Sequence, residues 1–109
     1  MPGREGDTKV GKMIIAEFSI IPIGTKTTAV GKYVQAALKE LEKQSSIRAK
    51  PEAMGTIIEA ENQGDIFKAV EKAHNSLFGL GIKRVVTEIK IDDRRDKEAT
   101  IESKTQALQ

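Results

Sequence analysis

The sequence has no cysteine and no tryptophan, and among its 109 residues there are one histidine, one tyrosine and three phenylalanines. Without thiols there are no disulfides and no thiolate metal sites, and one imidazole cannot build a multi-histidine centre within a single chain. No metal and no cofactor is therefore expected. Aromatic residues are only 4% of the chain, which leaves little to stack against nucleic-acid bases. No apolar run approaches the roughly 18 residues of a membrane-spanning helix, and the stretch before Met13 lacks the apolar centre of a secretory signal. A cytoplasmic protein with no membrane partner is expected. Charge of one sign is missing too: 18 Lys and Arg against 16 Asp and Glu leave +2, with the signs interspersed, so a polyanionic partner is not called for.

What is present is enough for one domain, since a chain of this length buries roughly 65% of the surface it exposes when unfolded. Residues 1–12 hold one aliphatic residue, Val10, among glycines and charges, too little to offset ordering entropy, and are expected to be a flexible extension. Residues 13–109 are read as a single folded domain. Ile outnumbers Leu 13 to 5, which favours strands.

Met13 to Pro22 is a β-branched run bounded by Pro22 and Gly24 and predicts a strand. The threonines from Thr25 to Thr28 offer N-caps to a helix whose Val30, Val34, Leu38 and Leu41 form an apolar stripe, ending near Gln44. Ile47 to Ala53 reads as a weaker extended segment, at an edge because of Pro51, and Thr56 to Glu61 as a strand. Gln63-Gly64-Asp65 marks a cap before a second helix striped by Ile66, Val70, Ala73, Leu77 and Leu80, which Gly79 and Gly81 stop. Lys83 to Ile91 alternates as a half-buried strand, and the charged tail from Asp92 onward predicts a third helix.

The order strand, helix, strand, strand, helix, strand is that of the ferredoxin-like α+β folds: a four-stranded antiparallel sheet with both helices on one face, here followed by a C-terminal tail helix. In the first strand Ile14, Ala16, Phe18 and Ile20 suit the helices, which leaves Ile15, Glu17, Ser19 and Ile21 on the open face. That mixture recurs as Arg84, Val86, Glu88 and Lys90 on the last strand and as Gly55, Ile57 and Glu59 on the third. Aliphatic residues beside carboxylates on an open face suggest subunit packing around a polar pocket.

Several candidate chemistries fail on spacing or composition. Gly24 to Lys32 has six residues between its glycines where a phosphate-binding P-loop has four, and Tyr33 follows Lys32, so a capped helix start is expected. The fold order matches RNA-recognition modules, but the third strand lacks aromatics and Glu17 would repel phosphate, so no nucleic-acid partner is expected. His74, beside Phe67 and Phe78, reads as a partly buried structural imidazole. The Asp92 to Lys97 cluster reads as a cap plus solvated ion pairs. Glu17, Ser19, Thr56 and Glu59 are the informative polar set, open to two readings: an intersubunit salt bridge with Arg84 or Lys90, or a ligand pocket.

Three segments carry a resemblance: Glu17-Phe18-Ser19-Ile20-Ile21-Pro22-Ile23-Gly24, Met54-Gly55-Thr56-Ile57-Ile58-Glu59, and Arg84-Val85-Val86-Thr87-Glu88-Ile89-Lys90-Ile91-Asp92-Asp93-Arg94. In this order and spacing they resemble the small thiamine-binding proteins of ferredoxin-like fold. The resemblance implies homo-oligomers, commonly tetramers built from dimers, that bind thiamine or its pyrimidine part without catalysis. Thiamine joins a cationic thiazolium to an aminopyrimidine that both donates and accepts hydrogen bonds. The candidate ligand residues are then Glu17 and Glu59 for the amine or the cation, Ser19 and Thr56 for ring nitrogens, Gly55 for close approach to the backbone, and Thr87 of the third segment. The alternatives are a small hydrolase or transferase using Glu17 or Glu59 as general base, or a regulatory oligomerisation module.

Overall fold

The computed structural model describes residues 13–108; the extension expected over 1–12 lies outside the described residues. The elements follow the order β1 (Ile14–Ile23), α1 (Gly31–Glu42), β2 (Ile47–Pro51), β3 (Thr56–Ala60), α2 (Gln63–Phe78), β4 (Arg84–Asp92) and α3 (Ile101–Gln106). The sheet order is β2-β3-β1-β4 and every neighbouring pair is antiparallel, which makes this a ferredoxin-like α+β fold. Pro51 lies on the edge strand β2, where its missing N–H costs the sheet no ladder bond.

One sheet face and two helices share the core, because alternate strand residues and every third or fourth helix residue are apolar. Ile14, Ala16, Phe18 and Ile20 of β1 and Ile58 and Ala60 of β3 are buried in one cluster with Tyr33, Ala37 and Leu41 of α1 and Ile66, Ala69, Val70, Ala73 and Leu77 of α2. Leu41, Ile58, Ile66 and Leu77 are fully buried, each contributing about 1.5–3 kcal/mol of apolar burial.

The structure departs from the periodicity in four places. First, no threonine caps α1. The Thr25 hydroxyl donates to the Thr27 carbonyl (2.6 Å) and Thr27 Oγ1 accepts from the Ala29 N–H (3.1 Å), so these hydroxyls stabilise the loop, and the helix starts later behind Val30 with no side-chain cap. Second, the buried stripe of α1 is Tyr33, Ala37 and Leu41, while Val34 is 40% exposed. Third, α2 begins at Gln63 with Asn62 as N-cap and ends at Phe78, which leaves Leu80 exposed after the helix. Fourth, 93–100 are not helical. Arg95 pairs with Asp93 and Arg94 with Asp96, contacts between residues two apart that a helix does not bring face to face.

The open sheet face is therefore not wholly bare. Glu59 Oε2 accepts the Ile101 backbone N–H (2.9 Å), Arg48 pairs with Glu102 and Lys104 with Asp92, and these fasten α3 across one end. Thr100 and Ser103 form a reciprocal capping box at its start. Ile15, Ala99 and Ile101 are buried there.

Candidate functional site

The strands β1, β3 and β4 differ in length, and the site follows from that difference. β1 pairs with β4 along Ile15 to Ile23, but with β3 only along Ile14 to Phe18, the last pair being Phe18 with Thr56. Beyond Phe18 the β3-side edge of β1 has no strand neighbour among the described residues. Into the notch face α1 and the β2–β3 turn, the latter closed by a 2.7 Å bond from the Glu52 N–H to the Gly55 carbonyl.

The notch is a cavity of about 450 Å³, within the range of small-molecule sites. Its walls are apolar: Phe18, Ile20 and Ile21 from β1, Val34 and Leu38 from α1, and Met54 from the turn. Val34 and Leu38 belong to the stripe expected in the core. Leu38 packs against the core and also lines the cavity, while Val34 is left at the cavity because β3 does not reach past Phe18 to cover it. The polar lining is Ser19, Thr56, Glu52 and Glu88, and Glu88 stands directly opposite Ser19 in the β1–β4 register.

Gly55 makes the corner possible. A Cβ there would sit 3.0 Å from the Phe18 carbonyl oxygen and 3.8 Å from Glu17 Cγ. The first distance is to backbone and is tighter than an ordinary contact, so a side chain there would push the turn away from β1 by a few tenths of an ångström.

The six candidate residues divide between places. Ser19, Gly55 and Thr56 meet at the cavity. Glu17 borders them on the open face, where its carboxylate is 3.7 Å from Lys90 within the same chain. Glu59 lies at the covered end, buried, accepting from Ile101 N–H and 3.6 Å from Arg48. Thr87 is on the opposite side of the sheet: its hydroxyl shares a 2.6 Å hydrogen bond with His74 Nδ1, and the His74 ring meets Phe78 edge-on at 5.4 Å. His74 thus ties α2 to β4, the structural part expected of it. Sequence reasoning left out Val34, Leu38, Met54, Glu52 and Glu88. A signal for them existed, since the first apolar run is about twice as long as the third-strand segment and must outrun it.

The charged groups around α3 hold one another in their ionised forms. The hydrogen bond from Arg48 holds the Glu102 carboxyl below its ordinary range. Arg94 does the same to Asp96, and Arg95 to Asp93. Among the described residues no helix is long and apolar enough to cross a membrane.

Comparison with known proteins places this geometry in a context. A family model described as thiamine-binding protein matches residues 16–109. A UPF0045 protein of Methanothermobacter thermautotrophicus is 40% identical over 96 residues, which cover 88% of this chain and 96% of that protein. A UPF0045 protein of Bacillus subtilis is 41% identical over 99 residues, 88% of this chain and 94% of the relative. The crystal structure of a Methanocaldococcus jannaschii protein superposes with a TM-score of 0.81 at 40% identity, covering 89% of this chain and 96% of that one.

Proposed function

Because the chain belongs to the thiamine-binding protein family, we propose that it is a small-molecule binding protein for thiamine or its pyrimidine part, without catalysis of its own. The observation that carries this reading is the notch beside β1, where Ser19, Gly55 and Thr56 from two of the family-like segments line one cavity. An aminopyrimidine needs a donor and an acceptor side by side, and an unpaired strand edge offers alternating N–H and C=O groups. Ser19 and Thr56 add hydroxyls that both donate and accept. Phe18, Ile20, Ile21, Val34 and Leu38 supply the apolar walls that a flat heterocycle fills.

Glu17 takes a place at the rim in this reading. Glu59 and Thr87 act on the framework, by holding α3 and α2 in place. Glu17 and Glu59 each face a cation, so neither is the unengaged base that a hydrolase or transferase would use.

The same reading includes a cytoplasmic homo-oligomer, with a tetramer as the assembly. Its support is the uncovered end of the open face, where Ile21 is 50%, Val86 39% and Ile23 38% exposed. Adjacent aliphatic residues at this exposure suit burial against a second copy. Light scattering is expected to give a mass near four times 11.9 kDa, and a monomer at micromolar concentration would overturn it. Binding is tested by isothermal titration of the purified protein with thiamine and with the free pyrimidine. Saturable heat with at least one of them is expected, and none with either would sink the assignment.

A further inference from the structure

We propose that Glu88 is the cation-recognising residue of the notch and that, with Glu52, it makes the site select the unphosphorylated, positively charged ligand over its phosphate esters. The inference rests on the thiamine-type reading above and deepens it.

The charge of the lining carries the argument. The cavity wall contains two carboxylates, Glu52 and Glu88, and no lysine, arginine or histidine. The other carboxylates near the open face are engaged: Glu17 by Lys90, Glu59 by Arg48 and the Ile101 N–H, and Asp92 by Lys104. Glu52 itself has Lys50 at 3.6 Å. Glu88 has no hydrogen bond or ion pair among the described residues. It stands across from Ser19, at the mouth of an otherwise apolar hollow. A carboxylate in that setting attracts a cation that enters the hollow.

Thiamine carries its fixed positive charge on the thiazolium ring and its hydroxyethyl arm on the same ring. Phosphorylation of that arm places up to three negative charges close to the cation. Known phosphate sites meet such groups with Arg, Lys, a metal ion or a helix N-terminus, whereas this lining offers two negative side chains. The free pyrimidine lacks the cation, so Glu88 gives it nothing. The expected order of affinity is therefore thiamine first, with the pyrimidine and the phosphate esters behind it.

The test is isothermal titration of the full chain and of Glu88→Gln with thiamine, thiamine monophosphate, thiamine diphosphate and the free pyrimidine. Glu88 is exposed and unpaired, so the variant is expected to melt with the parent, checked by circular dichroism. The parent should bind thiamine about ten-fold more tightly than either ester. Glu88→Gln should weaken thiamine binding about ten-fold, leave the pyrimidine unchanged and narrow the gap to the esters. Diphosphate bound as tightly as thiamine by the parent, or a thiamine affinity indifferent to Glu88→Gln, would overturn the role of Glu88 while leaving the notch as a thiamine site. Failure of the parent to bind any of the four compounds would remove the underlying reading and this inference with it.

Discussion

At one end of the open sheet face, near Ile15, Glu59 and Asp92, a six-residue helix is fastened down by a buried backbone bond and two ion pairs. At the other end, around Ser19, Ile21, Val86 and Glu88, the same strands stay uncovered. Both ends began with the same mixture of aliphatic and acidic residues. At the covered end the carboxylate of Glu59 is satisfied within the chain, by Arg48 and the Ile101 N–H, and its aliphatic neighbours are buried. At the bare end Glu88 has no such partner among the described residues and the aliphatic residues remain exposed. A carboxylate among apolar groups is thus structural where the chain supplies a partner, and is available for a ligand where it does not.

The largest expected effect is at the covered end. Ile101→Ala removes the buried side chain that anchors α3 and is expected to cost about 2–4 kcal/mol, read as a lower urea midpoint. An unchanged midpoint would mean that α3 rides on the surface and that the two ends do not differ. Gly55→Val, at the corner of the notch, is expected to cost about 1–3 kcal/mol, because its Cβ meets the Phe18 carbonyl. The same urea titration reads it, and wild-type stability would show that the β2–β3 turn can retreat from β1.

Ser19→Ala separates binding from folding at the bare end. Stability should stay within about 0.5 kcal/mol, while thiamine affinity should fall by about 1 kcal/mol, roughly five-fold. Equal binding by calorimetry would take Ser19 off the ligand and leave the backbone edge as the recognising element.

The smallest effect is a pH response confined to the covered end. Glu102 has its folded-state pKa depressed by Arg48. Its contribution is therefore present above the unfolded-state value and lost as pH falls through the depressed folded value. Protection of the α3 amides against hydrogen exchange should fall in that acidic window, with that of the Ile20, Ile21 and Ile23 amides unaffected. An equal loss of protection at both ends would assign it to global unfolding. Because both partners are exposed, the gain from this pair is modest and should shrink further in high salt.

Much of this was legible in the residues themselves. The alternation in β1 put Phe18 on the helix side and Ser19 on the other, and Pro51 marked an edge strand. Glu17 does face Lys90, but within one chain across the β1–β4 register, whereas the salt-bridge reading places that contact between subunits. Other residues misled. Thr25 to Thr28 read as caps because hydroxyls favour helix starts, yet they bond equally well to their own loop. Val34 read as core because its spacing is right, but spacing names a stripe and not what lies opposite it.

By itself, then, the sequence determined the element order, the antiparallel ferredoxin-like sheet and the face that the helices cover, since these follow from local periodicity and turn chemistry. The tertiary structure alone decided where β3 stops along β1, that α3 folds back over Glu59, and that Glu88 faces Ser19 beside an open cavity. Those facts depend on register and on contacts between residues far apart in the chain, such as Glu59 with Ile101 and Ser19 with Glu88, and no local pattern encodes them.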